Sequence, residues 1–331
     1  MPRLAAFVQL LVGVALATSS CEAEVASGPE PSSLATTAPP SPSEARAPSS
    51  ADDDTEVVVA AAGDIACDPA DDRSHGFDLS VCQDRATGAL LHGADAVLVL
   101  GDLQYEDGRL EAFRVAYQRS WGRFAAITYP TLGNHERETP GAEGYFDYWR
   151  ARGRPTGGPD AAWYSFDLGS WHLISLDSTC GVACAEGSAQ DAFLERDLAR
   201  TDAACILAFW HHPRFNSGSV HGEEAPAAAF WQDLFAARAD LVLNGHEHNY
   251  QRYAKQTPAG SPTDRGIRQF VVGTGGSVLY GLEDRKDANF QTGDADHFGV
   301  LRLHLRDGSY AWEFVAVGGR VLDRGGPTRC N

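Results

Sequence analysis

Basic residues are scarce in this sequence. Its 331 residues include 27 Lys and Arg against 45 Asp and Glu, which gives a formal net charge of −18. Non-specific nucleic-acid binding needs a basic surface that displaces phosphate counterions, so the composition argues against that class of function. Long hydrophobic runs are also lacking, because no stretch reaches the roughly 18 consecutive apolar residues of a membrane-spanning helix. With 43% hydrophobic and 22% charged residues, the sequence predicts a soluble, acidic globular protein.

The N-terminus has the composition of an export signal. Arg3 precedes an apolar run over residues 4–17, which is too short to span a membrane but is typical of a secretory signal. The following Thr18-Ser19-Ser20-Cys21 is similar to a lipobox. We therefore predict a signal peptide over residues 1–21 with a lipid on Cys21. Cleavage near Ala17, which would leave Cys21 as a free thiol, is the alternative.

A linker and one catalytic domain are predicted to follow. Residues 22–55 are rich in Pro, Ser and Ala and have neither helical nor strand periodicity. Such a segment cannot bury enough apolar surface to offset its ordering entropy, so we predict a disordered linker. Residues 56–331 are predicted to form the catalytic domain.

The seven cysteines also bear on the compartment. Without Cys21 an even set of six remains, which in an exported protein suggests three disulfides. Cys180 and Cys184 would close one loop, and we expect the pairs Cys67–Cys82 and Cys205–Cys330, although spacing alone does not fix this connectivity. A zinc site built from the thiols is the alternative, but no two cysteines have C-x2-C spacing.

Short apolar segments alternate with amphipathic ones in the predicted domain. Continuous apolarity predicts buried strands at 57–62, 96–100, 127–132, 205–210 and 240–244. Helices are predicted at 79–92, 110–124, 188–200 and 225–238, and a hairpin at 163–168 and 171–177. Later strands are predicted at 268–272, 298–305 and 310–317. The alternation predicts an α/β fold with layered helices and a mixed sheet.

Polar motifs follow the five buried strands. In chain order they are Gly63-Asp64, Gly101-Asp102-Leu103-Gln104-Tyr105, Gly133-Asn134-His135-Glu136, His211-His212-Pro213 and Gly245-His246-Glu247-His248. Ligands of open α/β sheets gather at the carboxyl ends of strands, so these loops can converge on one site. Four of the five motifs begin with glycine, which tolerates a tight turn and lets the backbone approach a ligand.

These motifs supply oxygen and imidazole donors with no thiol among them, a combination that suits iron, manganese or zinc. The candidate metal ligands are Asp64, Asp102, Tyr105, Asn134, His211, His246 and His248. That set is too large for one ion. Because a carboxylate can bridge two metals, it predicts a two-metal site with positions left for water and substrate.

In this order, the motifs resemble the calcineurin-like metallophosphoesterase superfamily, and particularly its purple acid phosphatase branch. The resemblance covers roughly residues 57–252. Tyr105 stands where that branch places the tyrosinate that binds Fe(III) and gives the colour, and Glu136 follows His135 as in that branch. Residues 211–217 (HHPRFNS) are similar to the family's HSPxYNS segment, and His221 stands at the position of its substrate-side histidine.

The resemblance implies a single-domain, layered αββα sandwich with mixed central sheets. The first metal would take Asp64, Asp102, Tyr105 and His248, and the second would take Asp102, Asn134, His211 and His246. His135 and His221 would bind phosphate and donate protons. The implied cofactor is Fe(III) with Fe(II), Zn(II) or Mn(II). With a bridging hydroxide this centre carries a charge of about +1, which attracts phosphate. Two divalent ions are the alternative, with Tyr105 then only a nearby phenol.

The implied activity is that of a phosphomonoesterase that acts on small-molecule phosphate esters. A metal-bound hydroxide would attack phosphorus, while His221 or His135 protonates the leaving alkoxide. A phosphodiesterase of the same fold is the first alternative, and a non-catalytic cell-surface binding protein is the second. We expect an exported protein, extracellular or at the cell surface, whose only membrane contact is the lipid anchor.

Other conspicuous residues are expected to have ordinary roles. His212 is predicted to support or pack beside the site, and His172 to occupy a plain surface position. Arg214 and Arg252 could hold phosphate, but a salt bridge or solvent would equally account for them. The aromatic segment 144–149 is predicted to be a packed loop, with a wall of the substrate opening as the alternative.

Overall fold

The computed structural model describes residues 55–69, 82–179, 184–222 and 227–331. The described residues belong to one compact unit, Asp52–Asn331. The predicted signal peptide, its Cys21, linker residues 22–54 and the predicted helix start at 79–81 lie outside the described residues. No helix in the described ranges is both long and apolar enough to cross a membrane.

Six α-helices and thirteen strands occur within these ranges. The helices are α1 (Asp84–Ala89), α2 (Leu110–Val115), α3 (Asn134–Glu138), α4 (Glu143–Arg150), α5 (Ala189–Leu198) and α6 (Ala227–Ala236). The strands are β1 (Val57–Ala62), β2 (Ala96–Leu100), β3 (Thr128–Thr131), β4 (Tyr164–Leu168), β5 (Trp171–Ser175), β6 (Cys205–Phe209), β7 (Leu241–Asn244), β8 (Tyr250–Tyr253), β9 (Arg268–Val272), β10 (Phe290–Asp294), β11 (Gly299–Arg306), β12 (Ser309–Ala316) and β13 (Val321–Arg329).

The strands form two mixed sheets. One has the order β13-β12-β11-β1-β2-β3, and the other has the order β10-β8-β9-β7-β6-β5-β4. Strands β1, β2 and β3 pair in parallel, as do β5, β6, β7 and β9, whereas the other neighbouring strands pair antiparallel. The parallel strands form one end of the first sheet and the interior of the second. Strands β2, β6 and β7 are buried along their whole length, which explains their continuous apolarity.

Two hydrophobic clusters separate the layers. The larger one draws side chains from both sheets, including Leu98 of β2, Leu207 of β6 and Leu301 of β11, so the sheets pack face to face. The smaller one joins the opposite face of the second sheet, through Ile206, to Leu194 of α5 and Trp231 of α6. Alternate residues of β6 enter different clusters because successive side chains of a strand point to opposite faces. The layered α/β architecture predicted from the sequence is confirmed.

Strand prediction was more accurate than helix prediction. Strands β1 and β2 have the predicted bounds, and Ser188 caps α5 by accepting from the backbone N–H of Asp191 at 3.1 Å. The predicted helix at 110–124 was wrong in length, because α2 ends at Val115 and two 3₁₀ segments follow. Gly122 lies in the second of them, where a Cβ would stand 2.4 Å from the hydroxyl of Tyr148. The close packing of this segment against Tyr148 of α4 therefore determines its conformation more than the helical periodicity of its sequence does.

The aromatic segment 144–149 belongs to helix α4 and not to a loop. Tyr145, Phe146, Tyr148 and Trp149 are all buried. The ring of Tyr148 stacks on Phe113 of α2, with centroids 4.9 Å apart. These side chains are core, so this segment packs as predicted but in a different conformation.

Two of the expected disulfides are present. Cys67 pairs with Cys82, and Cys205 at the start of β6 pairs with Cys330 beyond β13. Cys184 is also disulfide-bonded. Its predicted partner, Cys180, lies outside the described residues.

Candidate metal centre

The five predicted motifs converge at the carboxyl ends of parallel strands. Asp64, Asp102 and Asn134 follow β1, β2 and β3 of one sheet, whereas His211 and His246 follow β6 and β7 of the other. Because the two sheets pack face to face, their parallel strands deliver these loops to one edge of the sandwich. The structure brings all seven candidate ligands together.

Three of these residues have left-handed backbone conformations. The φ angles are 61° at Asp64, 46° at Asp102 and 70° at His246. Residues with a side chain rarely adopt this region, and they persist there only when the surroundings enforce it. Here the chain turns sharply as each strand ends, which turns the donor atoms back toward the common centre.

Two motif glycines are required by close approach. A Cβ at Gly133 would stand 2.0 Å from Oδ1 of Asp102, and one at Gly101 would stand 2.5 Å from Nδ1 of His211. Gly101 also has a φ of 84°. Any side chain at either position would displace a candidate ligand, so the glycines are part of the site's geometry.

One group of donor atoms surrounds the phenol of Tyr105. Its hydroxyl lies 2.9 Å from Oδ1 of Asp64, 3.3 Å from Oδ2 of Asp102 and 2.9 Å from Nε2 of His248. The other ring nitrogen of His248 donates to the carbonyl oxygen of Val278 at 2.6 Å. That bond directs the lone pair of Nε2 inward, as a metal-binding histidine requires.

A second group surrounds Nε2 of His211. This atom lies 3.1 Å from Oδ2 of Asp102, 3.1 Å from Oδ1 of Asn134 and 3.2 Å from Nδ1 of His246. Nδ1 of His211 donates to the carbonyl oxygen of Leu100 at 2.8 Å, so Nε2 again faces the centre. Oδ2 of Asp102 belongs to both groups, which places it where a bridging ligand would lie.

The chemistry of these donors fits two cations. Most of the inward atoms are acceptors packed against other acceptors, and Asp64, Asp102 and His211 are almost completely buried. Burial lowers the pKa of His211, but Asp102 and Asp64 outweigh it and raise that pKa to about 9. The same negative charges that favour a proton on this imidazole favour a metal ion. Asp64, Asp102 and His211 also satisfy the distances of a metal-binding cluster, as do His211, His212 and His246.

Tyr105 is a neutral phenol without such cations. Burial and the carboxylates of Asp64 and Asp102 raise its pKa well above the usual value. Its conversion to a phenolate would need a strong Lewis acid at the oxygen. Ionisation of Tyr105 is therefore expected with a trivalent metal ion and not with a weaker Lewis acid.

The two predicted substrate-side histidines lie at the mouth of the site. The side chains of His135 and His221 are 27% and 32% exposed, whereas His211 is fully buried. The ring of His135 lies 4.3 Å from that of Tyr105, and the ring of His221 stacks on His246 at 4.0 Å. Each histidine thus stands over a different donor group, where a bound ester could touch both.

Two supporting carboxylates were missed as functional residues by sequence reasoning. Glu136 is buried in the first turn of α3 and accepts from the backbone N–H groups of Asp102, Leu103, Gln104 and Gly133. Glu247, between two candidate ligands, contacts the loop that carries His221. Both carboxylates lie inside the predicted motifs, directly beside candidate site residues. The signal in the sequence was an acidic residue within a few positions of the end of a buried strand.

A sixth loop, residues 273–281 (GTGGSVLYG), was also missed. It follows β9, and its residues Gly275 and Ser277 donate backbone N–H groups to the carbonyl oxygens of Gly63 and Asp64. The ring of Tyr280 stacks on His248, with centroids 4.2 Å apart. The signal in the sequence was the glycine directly after the apolar strand at 268–272, because four of the five predicted motifs also begin with a glycine at the end of an apolar strand.

The remaining candidates have the following contacts. Nδ1 of His212 lies 2.9 Å from Oγ of Ser178, and its ring packs 4.3 Å from His246, consistent with the predicted supporting position. Arg252 pairs with Asp323 at 2.7 Å, which accounts for its charge without phosphate. Arg214 lies over the ring of Phe215. His172 is not an ordinary surface residue, because it is buried between two carboxylates.

Comparison with known proteins agrees with this geometry. The family model "Calcineurin-like phosphoesterase" matches residues 58–250. "Probable purple acid phosphatase 20" of Arabidopsis thaliana is 28% identical over 183 residues, which cover 49% of this chain and 40% of the relative. "Nucleotide pyrophosphatase/phosphodiesterase" of Hordeum vulgare is 27% identical over 232 residues, 57% of this chain and 59% of the relative.

A solved structure shares the fold. The purple acid phosphatase PPD1 from yellow lupin (Lupinus luteus) seeds aligns with a TM-score of 0.63 at 20% identity and covers 82% of this chain and 53% of its own. The resemblance stated from the motifs is thereby confirmed. This chain covers 40%, 59% and 53% of the length of these three plant proteins.

Proposed function

The chain belongs to the calcineurin-like phosphoesterase family, and from that premise we propose that it is a binuclear-metal phosphomonoesterase. The observation that carries the proposal is the position of Asp102, whose Oδ2 lies in both donor groups, 3.3 Å from the Tyr105 hydroxyl and 3.1 Å from Nε2 of His211. Two donor groups that share one carboxylate are the arrangement a two-metal hydrolase needs.

The metal assignments follow the two donor groups. Asp64, Asp102, Tyr105 and His248 would hold the first ion, and Asp102, Asn134, His211 and His246 the second. We propose Fe(III) in the first position with Fe(II), Zn(II) or Mn(II) in the second, because the buried phenol of Tyr105 needs a strong Lewis acid to ionise. When bound, the ions supply Lewis acidity that lowers the pKa of a nucleophilic water and neutralises phosphate charge.

The protein's own groups would orient the ester and move one proton. A water oxygen forms a bond to phosphorus while the bond to the leaving alcohol breaks. Nε2 of His221 donates a proton to the leaving oxygen, and His135, over the other donor group, holds a phosphate oxygen. The attacking water releases one proton to solvent, and His221 regains one from solvent. The products are inorganic phosphate and an alcohol, so water is the only other reactant.

A phosphodiesterase is the second candidate function. It is favoured by the similarity to a plant protein named "Nucleotide pyrophosphatase/phosphodiesterase". The same donor groups serve both reactions, because the diester differs only in its second organic group. A non-catalytic binding protein is less well supported, since the complete donor set would have no purpose in one.

The test is metal content and hydrolysis on the purified full-length protein. We expect two metal equivalents per chain, visible absorption from the iron phenolate, and faster hydrolysis of p-nitrophenyl phosphate than of bis-p-nitrophenyl phosphate. Asp102→Ala should lose both metals and activity, whereas the exposed carboxylate variant Asp202→Asn should retain them. An Asp102→Ala protein that remains active without metal would refute the proposal. Faster diester hydrolysis would select the second candidate, and a colourless protein without iron would replace Fe(III).

Export and a lipid anchor are also proposed. They are supported by the disulfides Cys67–Cys82 and Cys205–Cys330, which persist in oxidising compartments, and by the composition of residues 1–55. The proposed layout is a signal peptide over 1–21, a linker over 22–55 and a catalytic domain over 56–331. Cys21→Ser should release the protein from the membrane fraction into the medium. Unchanged membrane fractionation would refute the anchor.

A further inference from the structure

Glu247 is a buried carboxylate that stands between two candidate metal ligands in the chain. Its side chain is 0% exposed, although it follows β7 near the mouth of the site. Its neighbours His246 and His248 turn toward the metal centre, whereas the contacts of Glu247 are made with residues 216–221. A buried carboxylate is costly unless hydrogen bonds compensate it, so its partners indicate what it does.

The four donors that compensate Glu247 all come from that one segment. Oε2 accepts from the backbone N–H of His221 at 2.9 Å, from Nδ1 of the same residue at 3.1 Å and from Nδ2 of Asn216 at 3.3 Å. Oε1 accepts from the backbone N–H of Val220 at 3.2 Å. Both the main chain and the ring of His221 are therefore attached to one carboxylate.

The segment closes tightly on this side chain. A Cβ at Gly218 would stand 2.1 Å from Cδ of Glu247, so only glycine allows this approach. The beginning of the segment has other supports, since Gln251 accepts from the N–H of Ser217 at 2.8 Å and donates to Oδ1 of Asn216 at 2.8 Å. At its far end Val220 is 55% exposed, and the main chain is also held by Ser219, whose N–H donates to the carbonyl oxygen of Gly281, and by Nδ2 of Asn216, which donates to the carbonyl oxygen of His221 at 2.7 Å. Those bonds hold the backbone, whereas Glu247 also holds the ring of His221 through Nδ1.

We propose that Glu247 is a positioning residue that fixes the ring of His221 with Nε2 directed at the leaving group. Because Nδ1 donates its proton to the carboxylate, Nε2 is the nitrogen left to face substrate. Donation from Nε2 starts from the imidazolium, which carries a proton on each nitrogen, and leaves the neutral ring with its proton on Nδ1. Proton donation needs a heavy-atom distance of about 2.6–3.2 Å, which a ring free to rotate would rarely hold. The inference rests on the proposed function, in which His221 protonates the leaving oxygen.

The variant Glu247→Gln tests the role, because it keeps the shape of the side chain but replaces one acceptor with an N–H₂ group. We expect kcat for an alkyl phosphate to fall by about 10- to 100-fold, as for other residues that orient a catalytic group. For p-nitrophenyl phosphate, whose leaving group needs little protonation, we expect a much smaller loss. Metal content should equal that of the wild type. Glu283→Gln is the matched control, because Glu283 is exposed and its backbone N–H donates to the carbonyl of Ser217 in the same segment.

A double-mutant cycle separates positioning from general damage. If Glu247 acts through His221, the His221→Ala, Glu247→Gln protein should be no slower than His221→Ala alone. Additive losses, equal losses on both esters or lost metal would overturn the proposal.

A measurement on the wild-type protein keeps the inference testable if the variant does not fold. In ¹⁵N spectra of the protein loaded with Zn(II), which is diamagnetic, and with His221 assigned by comparison with His221→Gln, Nδ1 should carry a proton that is bonded to Glu247. An unprotonated Nδ1 would overturn the proposal. This measurement does not depend on catalysis. A protein that hydrolyses no ester would refute the proposed function, but its spectrum would still test the contact between His221 and Glu247.

Discussion

At the residue scale, the proposed metal site depends on side chains that lie outside the two donor groups. Glu136 accepts four backbone N–H groups, three of them from the loop of Asp102 and one from Gly133 at the start of α3. In the contact to Gly133, the side chain of the third helical residue accepts from the backbone N–H of the residue before the helix, at 2.9 Å. One buried carboxylate thereby joins the second and third motifs and fixes the backbone of Asp102, the proposed bridging ligand.

Replacing Glu136 with glutamine should destabilise the protein by about 2–3 kcal/mol, because the new N–H₂ group faces buried backbone donors that lose their acceptor. The check is urea denaturation in the presence of a chelator, so that metal binding does not contribute. Glu138→Gln, on the exposed side of the same helix, is the control and should change the free energy of unfolding by less than about 0.5 kcal/mol. Equal stability of the two variants would contradict the role assigned to Glu136.

At the element scale, His172 connects the β4–β5 hairpin to helix α5. Its Nδ1 lies 2.7 Å from Asp167 and its Nε2 lies 2.9 Å from Asp197. Burial lowers the pKa of His172, but the hydrogen bonds with Asp197 and Asp167 outweigh burial and raise it. Burial likewise raises the pKa of Asp197, but His172 and Ser165 outweigh it and lower that pKa. The charged pair is therefore favoured in the folded state.

The stabilisation from this pair should be lost at high pH. Because the folded pKa of His172 exceeds its unfolded value of about 6.5, its contribution is complete below that pH and disappears as pH rises through the folded pKa. The contribution of Asp197 is present above about pH 4 and is lost in acid. His172→Gln should therefore cost about 1 kcal/mol at pH 5.5 and less at pH 9. Chemical denaturation at both pH values measures this difference, and an equal cost at the two would contradict it.

At the scale of the whole molecule, the charge opposes the proposed substrate. The net charge of −18 repels a phosphate dianion at long range, whereas the proposed metal centre attracts it only locally. The disulfide Cys205–Cys330 joins residues 125 apart and ties the chain beyond β13 to the start of β6, so the two sheets stay together at the end of the chain.

Moderate salt should therefore raise kcat/KM for a dianionic substrate. Raising the ionic strength from about 0.01 M to 0.15 M shortens the screening length from about 30 Å to about 8 Å, which removes long-range repulsion but leaves the local attraction. The value of kcat/KM for a dianionic monoester should rise by about twofold or more, with a smaller change for a monoanionic diester. Steady-state kinetics at several salt concentrations provide the check. A steady decrease with salt would mean that the local charge of the centre dominates steering.

The sequence by itself determined which residues form the donor groups and which strands carry them. Continuous apolarity marks a central parallel strand, and a polar motif directly after it lies at the carboxyl edge whatever the rest of the fold does. Both signals are local, which is why Asp64 and Asp102 could be placed before the structure. The even count of six cysteines predicted disulfides but not their connectivity, and the expected pair Cys205–Cys330 is present in the structure.

Only the tertiary structure decided which residues hold those donors in place. Glu136, Glu247 and residues 273–281 act across loops that are distant in sequence, and no periodicity reveals a partner that lies in another strand's loop. The same holds for His172, whose two carboxylates come from β4 and α5, and for α4, whose aromatic side chains pack on α2. Local sequence sets the chemistry of each loop, but long-range packing determines the contacts that orient it.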